Sequence, residues 1–505
     1  MRSLIAYTLL FVLFACPALA QGPYPGLTII SLRTTADSYL VDMDFNVVKT
    51  WHGATVPTEL AYMLPDSSVL RPCYVPLAEG RGGRIQRIDA DDTVIWDFLF
   101  DDPDNQYLQH HDIEPMPNGN VLLLAWERHS IAEAIEAGRQ ELINDMKVTY
   151  IVEIEPVGLT GGNVVWQWSA WDHLVQEADP TKDNYGVIAD HPELIDINFG
   201  DVPAGTWLHA NAVDYNEELD QIVFSARNIS EVYVIDHSTS TAEAAGHTGG
   251  RWGRGGDILY RWGNPQTYGR GDANDQVLWG AHGVVWIDES LPGAGNIMVF
   301  NNGDNPNTAV DLSSVEEILP PQSEPGAYLI EPNLPFGPAS AAWRYGDVYG
   351  FLSSTLGGAY RMPNGTTVIC EGTEGRVFEV NPDGTIVWVY LGGAPIHRAP
   401  RYWEPVSASP ETPAAVRLMG NHPNPFNPVT TIGFAVENTQ RVTVSVFDVA
   451  GGRIATLTDQ IYEPGIYSVK WAGRNDEGRT VPSGTYLVQM ETGDDAEARK
   501  ISLVR

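Results

Sequence analysis

The stretch RVFEVNPDGTIVW, Arg376 to Trp388, decides how the chain folds. Its first half alternates apolar and polar residues, its centre is a Pro-Asp-Gly turn, and its second half closes on tryptophan. That is the signature of a β-hairpin. Five more stretches read the same way. YLVDMDFNVVKTW ends at Trp51 and RIQRIDADDTVIW at Trp96. TYIVEIEPVGLTGGNVVWQW contains Trp166 and Trp168. VYVIDHS, a long insert and GDILYRW end at Trp262, and YLIEPNLPFGPASAAW ends at Trp343.

One hairpin cannot bury both of its faces, so repeated copies must stack on one another. Six copies in a turn-rich, helix-poor sequence predict an all-β chain with a six-bladed β-propeller. A two-sheet sandwich does not need six separate copies. The tryptophans are expected to pack between blades rather than to hold a ligand.

The other two strands of each blade lie between these hairpins. HDIEPMPNGNVLLLAWE and GAYRMPNGTTVICEG share a turn that aligns Asn118 with Asn364, which sets His111 opposite Gly357. The histidine is therefore no requirement of the repeat. His209, in WLHANAVDYN, and His282, in WGAHGVVW, open the corresponding strands of their own blades. Innermost strands line a propeller's channel, so the three histidines are expected at similar heights in one pocket. Arg227, after IVFSA, reaches the same space. His110 is a rival to His111, and Asn211 is placed to orient a histidine. Trp262 and Tyr268 are candidates to stack an aromatic substrate, although core packing suits Trp262 as well. His129, His173, His191 and His397 show no partner pattern and read as surface or structural.

Composition narrows the partners. The chain has 505 residues, with 30 Lys and Arg against 65 Asp and Glu, a net charge of −35. Nucleic acid and anionic membranes need a basic face, so neither is an expected partner. Met1 to Ala20 reads as a signal peptide: Arg2, an apolar run too short to span a bilayer, and Ala18-Leu19-Ala20 before the cut. No later segment is apolar enough to span a membrane. Export allows a disulfide between Cys73 and Cys370, and two buried thiols fit as well. Ser130 to Met146 has apolar residues at helical spacing and reads as a helix over one channel mouth. Trp207 and the segment Asp257 to Gln276 are expected in loops near that mouth.

Four segments follow: a signal peptide at 1–20, the propeller at 23–400, a Pro/Ser/Ala-rich linker at 401–416 and a β-sandwich at 417–505. In the last, Val442, Val444 and Val446 alternate onto one face. No catalytic constellation falls within it.

Several blocks in order, HHDIEPMPNGN, WLHANAVDYN with SAR following, LYRWGNP with AHGVVW following, and RMPNGTTVICEGTEGRVFEVNPDG, resemble the arylsulfate sulfotransferase family over most of residues 38–400. The resemblance implies an exported six-bladed propeller that moves a sulfuryl group between phenols, with no metal and no cofactor. It implies that His282 is the nucleophile, that His209 and Arg227 are a supporting pair, and that His111 is the remaining histidine. The long N-terminal domain of some enterobacterial members has no counterpart ahead of the first repeat. NPFNPVTTIGF and ARKISLVR resemble FlgD-like immunoglobulin modules and type IX secretion sorting domains. That resemblance implies an exported protein, secreted, at the cell surface or periplasmic, with export machinery as partner of the C-terminal domain.

The residue types suit this chemistry. A phenol's pKa of about 10 makes it a good leaving group, so little acid help is needed. A neutral imidazole is available near pH 7 and would become an N-sulfohistidine. The Arg227 fork suits two sulfuryl oxygens. Three histidines alone would also suit zinc or copper, but an arginine beside them disfavours a cation. A non-catalytic surface propeller that binds sulfated or other anionic ligands is the alternative, and a hydrolase that uses water as acceptor is a third reading.

Overall fold

The computed structural model describes residues 22–504 except 59, 76–81, 101–105, 202–204, 304, 306–311, 347–349, 404–416, 423–425, 437–438, 450, 463–464 and 494. The expected signal peptide lies outside the described residues. So does all of the expected linker except its first three residues.

The chain is all-β, with six four-stranded antiparallel sheets following one another up to residue 402. The first holds the strands Leu27–Ser31, Asp37–Val41 and Val47–His52, and is completed by Arg401–Tyr402, which pairs with Leu27–Ser31 at the edge opposite Val47–His52. The expected propeller boundary at 400 therefore falls two residues short. That last strand must come home to pair with the first, which a boundary drawn on composition does not reveal. The second sheet runs from Tyr62 to Leu99, the third from Tyr107 to Ser169 and the fourth from Ala210 to Trp262. The fifth runs from Ala281 to Tyr345 and the sixth from Gly358 to Leu391.

The repeated tryptophans sit on the same edge strand of each sheet, the last before the chain moves to the next sheet, and join it to that sheet. The indole N–H of Trp51 donates to the Asp89 carbonyl, that of Trp96 to Gly161, and that of Trp166 to the Thr239 hydroxyl. Trp262 donates to Pro338, Trp343 to Pro382, and Trp388 of the sixth sheet to Met43 of the first. A buried indole needs such an acceptor. Here each acceptor is supplied by the following sheet. On the inner side, the Asp112 carboxylate accepts the Val213 N–H at 3.1 Å and Asp214 accepts the Trp286 N–H at 2.6 Å. The Gly283 N–H donates to the Gly357 carbonyl. These bonds tie the first strands of the third to sixth sheets together. Arg398 pairs with Asp112, so that buried carboxylate is not left uncompensated.

Two sequence expectations need correction. The fifth outer hairpin is not Tyr328 to Trp343. Ser314–Ile318 pairs with Trp343–Tyr345, and the residues between them are an insertion with its own small hairpin. SVEEI lacked the turn signal that drew attention to the later stretch. The helix expected over Ser130–Met146 spans only Ile131–Glu136, held by a Ser130–Glu133 capping box. Gly138, at φ 92°, ends it, and the strand Met146–Val157 claims the last residue. Trp207 lies in the loop just before His209 and is wholly buried, its indole N–H donating to the Phe199 carbonyl. Cys73 and Cys370 are separate buried thiols.

Residues 417–503 form a three-stranded and a four-stranded sheet around one shared core. Val442, Val444 and Val446 all lie in it, as their alternation requires. No helix among the described residues is long and apolar enough to cross a membrane.

Candidate functional site

The first strands of the third, fourth and fifth sheets each break register at the same end. The breaks fall between Gln109 and Ile113, between Ala210 and Val213, and between Ala281 and Val284. A bulge re-aims the side chains it releases. The residues released here include His110 and His111, Asn211, and His282. His209 stands immediately before the fourth sheet's strand. Backbone strain accompanies the bulges. His111 and His209 have φ of 49° and 53°, in the left-handed region that a histidine rarely occupies. Gly357, which the sequence sets opposite His111, has φ of 114°. The fold demands positive φ at this point, glycine meets it without cost, and the third sheet instead holds a histidine there.

His111, His209, Arg227 and His282 border one cavity of about 810 Å³. The rings of His111 and His209 lie 5.0 Å apart, nearly perpendicular. His282 is 6% exposed. Its Nδ1 lies 2.8 Å from Oδ1 of Asn302 and 3.2 Å from Nδ2 of Asn211. Its Nε2 receives the Leu356 N–H at 3.2 Å. The Leu356 backbone N–H can only donate and the Asn302 oxygen can only accept, so the proton sits on Nδ1 and the lone pair on Nε2. Asn211, whose buried Oδ1 has no other partner, suits this tautomer with its amide turned to face Nδ1 with oxygen. Asn302 cannot turn over to reverse this. Its Nδ2 already donates to the carbonyls of Ser353 and Leu356 at 2.6 and 2.9 Å. Burial, then the positive charge of Arg227, push the His282 pKa well below the ordinary histidine value, with Asn302 pulling the other way. The ring is neutral near pH 7, and its lone pair is on one named atom, Nε2, where it accepts the Leu356 N–H.

The other candidates divide. His110 is buried, stacks on Trp126 at 4.2 Å and exchanges an Nδ1–Nδ1 hydrogen bond of 2.8 Å with His111. Burial, then His209, hold its pKa well down. His110 backs His111 and Asn211 backs His282, and neither borders the cavity. Trp262 and Tyr268 are elsewhere. Tyr268 is packed on the Arg261 guanidinium and accepts the Phe336 N–H, and Trp262 is held by Pro338. Both belong to the packing between the fourth and fifth sheets, so neither is placed to stack a substrate against His282. The histidines are also not strictly equivalent. Ala210 and Ala281 hold matching ladder positions, so His282 corresponds to Asn211, and His209 to Gly280.

Trp126, Arg33, Tyr74 and Thr355 also border the cavity and were not singled out from the sequence, and His397, read there as surface or structural, is buried and borders it too. Register would have found two further positions. Ala125, Ala226 and Asn301, on the second strands of three successive sheets, face Gln109, Ala210 and Ala281, the residues at which the first strands break register. The next residues are Trp126, Arg227 and Asn302. One row of the fold thus supplies a cavity wall, the arginine and the residue that fixes the His282 tautomer.

No curated protein matches the chain. Among solved structures it is similar to a protein of unknown function from Bacteroides caccae, at 11% identity and TM-score 0.41, covering 75% of this chain and 100% of that one. It is similar to virginiamycin B lyase from Staphylococcus aureus with quinupristin, at 9% identity and TM-score 0.34, covering 83% and 95%. It is also similar to the periplasmic gluconolactonase of Pseudomonas aeruginosa, at 11% identity and TM-score 0.33, covering 88% and 99%. Likenesses this distant say nothing of the chemistry. Residues 427–496 match the FlgD Ig-like domain. The arylsulfotransferase model matches residues 100–387, more than half of the chain and a span that holds His111, His209, Arg227 and His282, and the chain belongs to the arylsulfotransferase family.

Proposed function

We propose that this chain transfers a sulfuryl group from an aryl sulfate to a phenolic acceptor through a sulfohistidine on His282, without nucleotide, metal or other cofactor. The six sheets are the blades of a six-bladed propeller, followed by an immunoglobulin-like sandwich, in a protein exported from the cell. The observation that carries the reading is the locked tautomer of His282 beside Arg227, His209 and His111.

In the first step the Nε2 lone pair attacks sulfur. The N–S bond forms, the S–O bond to the ring breaks, and the phenolate leaves with the electron pair. The positive charge gained by the imidazole is held by the Nδ1–H bond to Asn302. Arg227 holds two sulfuryl oxygens. The Leu356 N–H, released as Nε2 bonds to sulfur, turns to the third. His209 and His111 meet the departing phenolate and take the proton of the incoming phenol in the second displacement, which restores His282.

Asn302→Ala removes the acceptor that keeps the proton on Nδ1. We expect kcat to fall about 10- to 100-fold with KM little changed, since the tautomer matters to attack and not to donor binding. The pH profile gives an independent reading. Only the neutral ring attacks, and its pKa lies below the ordinary 6.5. Activity therefore persists as pH falls through 6.5 and is lost only further down. An acid limb of kcat/KM at or above 6.5 would exclude His282 as the titrating nucleophile.

The direct test supplies 4-nitrophenyl sulfate with and without phenol. Nitrophenol release that rises with phenol supports the transferase. Release indifferent to phenol identifies a hydrolase. No release from folded protein leaves a reversible binder of anionic ligands.

A further inference from the structure

A second cluster lies away from the cavity, where the third sheet meets the fourth. His173 ends the short 3-10 turn Ala170–His173. His247 and Asp257 bracket the loop HTGGRWGRGGD in the connection to the strand Tyr260–Trp262. One ligand atom from each of the three lies within 4.8 Å of the other two.

Hydrogen bonding defines what these atoms offer. His173 is fully buried and its ring lies parallel to Trp168. Its Nε2 is 2.9 Å from the Ala244 carbonyl, which can only accept, so Nε2 carries the proton. In the neutral ring Nδ1 then holds a lone pair, and it faces Oδ1 of Asp257 at 2.9 Å. His247 Nδ1 lies 2.7 Å from the same oxygen. Two buried acceptors so close need a positive species between them. A histidine whose far N–H is anchored on a carbonyl is the usual setting of a metal-bound imidazole.

We propose that His173 Nδ1, His247 Nδ1 and Asp257 Oδ1 bind one zinc-class divalent cation that pins the 247–257 loop to the third sheet. Two nitrogens and a carboxylate oxygen are the donors such an ion takes. Tetrahedral zinc at about 2.0–2.1 Å from each donor sets them about 3.3 Å apart. The two spacings to the Asp257 oxygen, 2.9 and 2.7 Å, open to that by about half an ångström, and the His247 side chain, 58% exposed, has room to make the move. The loop has reason to need a pin. Gly249, Gly250, Gly253 and Gly255 all have positive φ, and a glycine-rich chain loses much entropy on ordering. The fourth coordination position is left to water, since His247 borders an open cleft of about 760 Å³.

The test strips the full chain with a chelator and titrates it with zinc chloride. Trypsin is the second readout, because Arg251 and Arg254 lie in the loop. We expect His247→Ala and Asp257→Asn each to bind one zinc fewer than the native chain. We expect zinc to slow cleavage after Arg251 and Arg254 at least tenfold in the native chain and in neither variant. Nitrophenol release stays unchanged in His247→Ala, which is far from the cavity. Counting against the native stoichiometry separates this ion from any taken by the cavity histidines. Equal stoichiometry in native chain and variants, or cleavage indifferent to zinc, would overturn the proposal.

Discussion

His282→Ala releases no measurable nitrophenol from 4-nitrophenyl sulfate, with or without phenol, a loss of at least about 10⁴-fold or ~5 kcal/mol of transition-state stabilisation. The size follows from the two-step route. Without Nε2 there is no covalent intermediate. His111 and His209 do not replace it by position, since His282 matches Asn211 in the ladder rather than either histidine. The substitution leaves the Asn302 oxygen and the Leu356 N–H without their partner. That costs about 1–3 kcal/mol of stability, so the variant is expected to fold. Circular dichroism separates loss of chemistry from loss of fold.

Arg227→Lys keeps the charge and loses the fork. We expect kcat/KM to fall about 10²-fold, mostly in kcat, because the paired donors matter most as charge builds on the sulfuryl oxygens. Arg227→Ala is expected to fall further and to move the acid limb of the pH profile upward. After burial, the Arg227 charge is the main influence holding the His282 pKa down. Removing a positive neighbour stabilises the imidazolium, so the nucleophile protonates at higher pH. A merely structural arginine would lower the rate without moving that limb. Steady-state rates across pH for the three proteins check both statements.

Much of the fold was legible because hairpins announce themselves. Alternation, an Asp-Gly or Pro turn and a closing tryptophan recur wherever the outer pair of strands is continuous. Where an insertion separates the pair, as between Ile318 and Trp343, the pattern attached itself to the wrong partner. The closing strand Arg401–Tyr402 escaped notice because two residues carry no periodicity, and only the first sheet's open edge explains them. At the cavity, His111, His209 and His282 stood out because histidine is unusual at strand starts, and Arg227 because it follows directly on the strand that pairs with the one after His209. Their geometry was not legible. Bulges shift register by a residue or two without a sequence mark, so three histidines that looked equivalent are not. Asn302 was hidden for a different reason: an asparagine after a strand reads as a turn residue, and its role depends on carbonyls at Ser353 and Leu356 some fifty positions away. Trp262 and Tyr268 drew attention as aromatics near a loop, and their burial is explained by Arg261 and Phe336, which no local pattern reveals.

The most direct measurement mixes the chain with 4-nitrophenyl sulfate and no acceptor, quenches it in alkali within the first turnover, and maps the sulfuryl group by peptide mass spectrometry. The expected result is one sulfuryl group per chain, on His282, which disappears when phenol is added before the quench. A sulfuryl group on His111 or His209, or none on a chain that releases nitrophenol in the same interval, would contradict the sulfohistidine route.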